Sequence, residues 1–186
     1  MLDSFRDTFR LPDLKRRILF TLAALFVYRL GAHVPTPGVD AAALGRLFDQ
    51  GSILGFLDLF AGGALSRFSI FALGVTPYIN SSIVMQLLAV VVPSIEKLQK
   101  EGEEGRKKIV QWTRYGTIIF AFIQAVGMTG WLRGLGIYTG SFMDIILVSL
   151  TLTTGAVAVM WLGEIMSDHG IGNGISLLIF AGIVVR

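Results

Sequence analysis

Few side chains in this sequence have the types and spacing that catalysis or metal binding requires. Gly170-Ile171-Gly172-Asn173-Gly174 is rich in glycine. It lacks the G-x-G-x-x-G spacing of a dinucleotide-binding turn and follows an apolar run where a strand is needed. Ser176 and His169 have the types of a nucleophile and a base, but no glycine-flanked nucleophile turn surrounds the serine. The chain has 2 His and 0 Cys, which excludes disulfides, thiol catalysis and Cys-ligated zinc. The mixed-charge run 96–108 has no interleaved aromatic residues for nucleic acid and reads as a solvated loop. An enzyme is disfavoured, and no cofactor or metal is expected. What remains is a set of uncharged polar residues in apolar surroundings. Thr76 and Asn80 lie four apart on one helix face, Gln86 lies further along, and Gln124 sits in another apolar stretch. An amide in hydrocarbon is costly unless it is hydrogen-bonded. Interhelical bonds of this kind contribute only about 0.6–2 kcal/mol, which suits either helix packing or a contact that must open.

Composition decides which elements carry these residues. Of 186 residues, 53% are hydrophobic and 16% charged, with 22 Gly and a mean hydropathy of +0.68. A soluble domain carries about 25% charge, so a soluble enzyme is disfavoured, and the same numbers exclude a disordered chain. Residues 68–95 form a 28-residue stretch without charge, 115–132 another of 18, 145–163 one of 19 and 170–185 one of 16. Residues 18–34 add a fifth, interrupted by Arg29. A helix needs roughly 17–25 apolar residues to cross a bilayer. The sequence predicts an all-α polytopic membrane protein of five spans. The spans are 18–34, 75–92, 115–132, 144–165 and 175–186, the last cut short at Arg186. Connections fall at 35–74, 93–114, 133–143 and 166–174.

The first stretch also resembles a signal peptide, since Arg16-Arg17 precedes eleven apolar residues. The apolar run resumes after Arg29 with no cleavage signal behind it, so a retained span is favoured. Ahead of it, within the segment 1–17, Leu2, Phe5 and Phe9 have the spacing of a short interfacial helix ending near Pro12. Lysine and arginine set the orientation. Eleven lie at residues 1–17 and 93–114 and three in the connections between, which places the N-terminus in the cytoplasm.

Residues 68–95 would measure about 42 Å as one straight helix, and Gly74 and Pro77 show where it divides. Proline suits the first turn of a helix, where its missing N–H costs nothing. Residues 53–74 mix Phe56, Leu57, Leu59, Phe60, Leu65 and Phe68 with Gly62-Gly63, Asp58 and Arg67. That is too apolar for an external loop and too glycine-rich and charged to face lipid. Irregular backbone at membrane depth persists only inside protein or beside a water-filled cavity, so this segment reads as re-entrant.

Five runs in order resemble the SecY family of bacterial protein-translocation channels. Residues 28–40 are similar to the end of that family's first span. Residues 62–79, including Leu73-Gly74-Val75-Thr76-Pro77, resemble its plug and second span. Residues 100–108 resemble its second cytoplasmic loop, and Trp161-Leu162-Gly163-Glu164 with residues 170–183 the junction of its fourth and fifth spans. The resemblance implies that the chain is the N-terminal half of a ten-span inverted-repeat channel in the bacterial inner membrane. It would act with SecE and SecG subunits, the SecA motor and the ribosome, on signal sequences and nascent polypeptides. It further implies a pore ring of Val75, Ile79, Ile175 and Ile179, each pair spaced i,i+4 on one helix face. Val75 stands where the family more often has isoleucine. The implied plug comprises Phe56, Leu57, Leu59, Phe60, Ala61, Gly62, Gly63, Ala64 and Leu65. Asn80 and Gln124 fall at the polar positions of a lateral gate, Asn80 where the family more often has Ser or Thr. The competing reading is one repeat of a small-solute secondary transporter. Against it, no acidic or basic residue lies near a span centre, where coupled pumps place one.

Overall fold

A computed structural model describes residues 12–36, 39, 44, 63–138 and 140–184. Within these lie six helices: α1 (Pro12–Gly31), α2 (Thr76–Val91), α3 (Pro93–Lys100), α4 (Glu103–Gly134), α5 (Phe142–His169) and α6 (Gly174–Val184). The remaining pairing consists of two isolated bridges, Pro35 with Ser69 and Val39 with Tyr138. The expected interfacial helix around Leu2, Phe5 and Phe9 lies outside the described residues.

By length and composition α4 and α5 can each cross a membrane, and α2 with α3 forms a third candidate bent by 102°. The bend falls at Val92, where extended backbone precedes Pro93, as expected ahead of a proline. In α1 the charges Asp13, Lys15, Arg16, Arg17 and Arg29 share 20 residues with the apolar ones, and α6 has 11 residues. α1 is long enough but too charged, and α6 is apolar but too short, so neither qualifies by length and composition together. The charged stretch 93–114, read from sequence as a loop, is helical almost throughout. It consists of α3 and the first turns of the 32-residue α4, and an i,i+4 ion pair between Lys100 Nζ and Glu96 Oε1 at 2.6 Å supports α3.

The helices α2 and α4 each hide one narrow face. On α2 the buried residues Pro77, Ser81, Met85 and Ala89 recur every fourth position. On α4 the row is Thr113, Thr117, Ala121, Ala125 and Thr129. Small side chains at i,i+4 let two helices approach closely, and α2 packs on α4. The buried threonines satisfy themselves inside their own helix. Thr117 Oγ1 donates to Thr113 O at 2.8 Å and Thr129 Oγ1 to Ala125 O at 2.8 Å. Leu22, Phe26, Ile119 and Ile123 point outward and are exposed, which is favourable only against lipid or a further subunit.

The helix α5 is central, packing on α4, α1 and α6. It starts with the backbone N–H of Ser141 donating to Asp144 Oδ2 at 2.8 Å, half of a capping box. Residues 63–75 run as successive turns wedged against it. Leu65, Phe68, Ala72 and Leu73 join Ala121 and Ala125 of α4 and Val148 and Leu152 of α5 in one core cluster. Phe71 and Val75 join Tyr28, Val159, Met166 and Leu178 in a second. The wedge is irregular, yet several of its backbone groups are paired. Ser69 N–H donates to Ala64 O, Thr36 N–H to Phe68 O and Ile70 N–H to Val34 O, all at 2.8–3.0 Å. Gly155 leaves the space that the Ile70 carbonyl fills, and Gly31 that of the Phe71 ring. Phe68 is held at φ 45 while almost fully buried. A left-handed non-glycine residue costs roughly 1–2 kcal/mol and persists here because the packing leaves no alternative. Gly74 at φ 53 turns the chain into α2, whose first turn holds Pro77.

Candidate functional site: an apolar collar beneath a polar cavity

Three elements meet at the collar. Val75 ends the irregular wedge and is buried, Ile79 lies one turn into α2, and Ile175 and Ile179 occupy the first turns of α6. All four belong to the cluster built on Phe71, Val159 and Leu178. The collar position of α6 depends on the glycine run. Gly172 takes φ 68, and Asn173 Oδ1 accepts the Ser176 N–H at 3.1 Å, capping α6. Ser167 Oγ donates to Gly163 O and accepts the Gly174 N–H, both at 2.9 Å. Any side chain at Gly174 would meet Gly163 O, and one at Gly163 would meet Ile175. The glycines thus serve a tight helix–helix turn.

Ile79, Ile175 and Ile179 form the apolar wall of a cavity of about 670 Å³. The rest of its lining is mostly polar, with Tyr78, Gln86, Arg106, Arg114, Glu164 and Asp168 among its residues beside the apolar Ile83 and Val110. Across it Arg114 Nε donates to Glu164 Oε1 at 2.9 Å, joining α4 to α5. A chamber lined by charged groups therefore abuts a greasy wall. Among the described residues no group of three or more His, Asp or Glu could hold a metal ion.

The other expected residues are distributed differently. Of the nine plug positions, Gly63, Ala64 and Leu65 are described. Gly63 has φ 76, Ala64 and Leu65 are buried, and Ser66 Oγ donates to Gly63 O at 3.2 Å. Phe56, Leu57, Leu59, Phe60, Ala61 and Gly62 lie outside the described residues. Asn80 and Gln124 are half-buried on α2 and α4, and no hydrogen bond joins them. The polar tie between these helices is instead Ser81 Oγ donating to Thr113 O at 2.7 Å, with Gly116 giving room for Ser81. Sequence reasoning missed both this bond and the Arg114–Glu164 pair. The available signals were Ser81 in the small-residue row of α2 and a lone carboxylate closing an apolar run.

A family model described as SecY matches residues 69–186. The chain belongs to the SecY family. Two translocase subunits named SecY, from Escherichia coli K12 and Pseudomonas aeruginosa, are 50% identical over 182 residues and 49% identical over 177. Each comparison takes in 94% of this chain and 41% or 40% of the relative, so the chain spans about two fifths of the length of the curated relatives it matches. Sec61 from the canine ribosome-channel complex of the endoplasmic reticulum superposes with a TM-score of 0.65 at 23% identity, over 91% of this chain and 36% of that one. A structure described as a protein conducting channel superposes equally well. Among the described residues every named element of this SecY-family chain is a helix, as in the fold of these channels, and its apolar helices are those of a polytopic membrane protein.

Proposed function

We propose that this chain is the N-terminal part of a protein-conducting channel subunit that passes unfolded polypeptides across a membrane and releases apolar segments sideways into lipid. The observation that carries this reading is the junction of the polar cavity with the collar of Val75, Ile79, Ile175 and Ile179. A narrow apolar neck excludes ions because it cannot hold a stable water column. A polypeptide passes because no strongly bound group there has to be displaced. The polar cavity is then the cytoplasmic vestibule, consistent with the excess of Lys and Arg at residues 1–17 and 93–114. The spans are those at 18–34, 75–92, 115–132, 144–165 and 175–186.

Residues 56–65 serve as the plug on the far side of the collar, and their described end, Gly63, Ala64 and Leu65, leads into the turn-rich course of 63–75. Asn80 and Gln124, half-buried without a bond to each other, line the lateral gate. The relatives' kinship supports assembly with SecE and SecG, energy input from SecA or the ribosome, and residence in the bacterial inner membrane with the N-terminus cytoplasmic. A photo-crosslinker placed at Ile79 or Ile175 in the complete subunit, with a secretory precursor stalled in transit, tests the path directly. An adduct from both positions, and none from outward-facing Phe122, is expected. Adducts from neither collar position would refute the path.

A further inference from the structure

We infer that Arg114 and Glu164 are positioning residues for the collar, their ion pair setting the spacing between the elements that carry its two halves. The inference rests on the proposed reading of Val75, Ile79, Ile175 and Ile179 as the constriction. One turn of α4 reaches both halves. Thr113 accepts the hydrogen bond of Ser81, two residues beyond Ile79 on α2, and Gly116 gives that serine its space. Arg114, the next residue, bonds Glu164 at 2.9 Å. Glu164 follows Gly163, whose missing side chain accommodates Ile175 and Leu178 of α6. The connection therefore runs from Ile79 through Ser81, Thr113, Arg114 and Glu164 to Ile175, and it closes the cavity wall just outside the collar.

The pair has a second effect. The Glu164 side chain is 15% exposed, against 50% for Arg114. Without its arginine, a poorly hydrated carboxylate would stand beside the apolar wall and draw water toward it. Loss of either partner thus loosens the spacing or wets the mouth of the collar, and both favour leak.

The test uses the complete subunit with its partner subunits, purified and fused into planar bilayers, with Ile79→Asn as the reference leak. Glu164→Gln and Arg114→Gln are each expected to raise resting conductance about two- to fivefold, the range for a partly exposed pair. The double variant should leak no more than either single one, and the exchange Arg114→Glu with Glu164→Arg should return conductance toward wild type. Wild-type conductance in both single variants while Ile79→Asn leaks would overturn the positioning role, as would additive effects. Should Ile79→Asn itself fail to leak, the constriction reading falls, and spin labels at Leu87→Cys and Phe180→Cys judge the pair alone. A shifted α2–α6 distance in Glu164→Gln supports it, and an unchanged distance overturns it.

Discussion

Single residues matter most here where a side chain is missing. Gly155 faces the Ile70 carbonyl, whereas Gly127 on α4 has open space around it. Gly155→Ala would push a methyl group into buried backbone, and overpacking of that kind costs about 1–3 kcal/mol. The expected outcome is a lower melting temperature for the purified complex with Gly155→Ala and no loss with Gly127→Ala, measured by thermal unfolding in detergent. Such contacts were not legible in the sequence. Gly155 stands among Ser149, Thr151, Thr153 and Thr154, all small, and nothing local marks the one that meets a distant carbonyl. Ser81 and Glu164 illustrate the same limit, since their partners lie 32 and 50 residues away. The four collar residues are ordinary members of apolar runs by periodicity, and family resemblance singled them out.

Helices and turns were more legible. Charge-free runs of bilayer length marked α4 and α5, and Gly74 and Pro77 marked the start of α2. The loop reading of 93–114 overlooked that charged residues form helix well once a proline and a glycine fix the ends, as Pro93 and Gly102 do around α3. At this scale the turn before α6 is the sensitive element. Asn173 caps α6 through its Oδ1, and replacing such a cap by alanine costs about 1 kcal/mol. Asn173→Ala should therefore fray the turn carrying Ile175 and raise resting conductance. Asn173→Ser, which keeps a capping oxygen, should behave as wild type. The proposed gate makes a different prediction on α4. Gln124→Leu removes a polar group from a half-buried face, so membrane segments of marginal hydrophobicity should insert at an altered threshold in a graded-insertion assay. An unchanged threshold would remove Gln124 from the gate.

For the whole molecule the decisive division is between faces. The helices α2 and α4 meet through mostly small residues, α5 buries large ones such as Leu152 and Met166, and large apolar side chains on α1 and α4 face outward, while charge gathers at one end of α4 and in α3. With 0 Cys in the chain, topology can be read from single introduced thiols. In right-side-out cells, Arg133→Cys should react with a membrane-impermeant maleimide and Lys107→Cys only after permeabilisation; the reverse pattern would invert the molecule. The central claim, that an apolar neck rather than a charged binding site controls passage, is tested most directly by the resting ion conductance of the complete complex carrying Ile79→Asn. A polar side chain at that position should wet the neck and raise conductance well above wild type at equal channel number. Conductance indistinguishable from wild type would contradict the account.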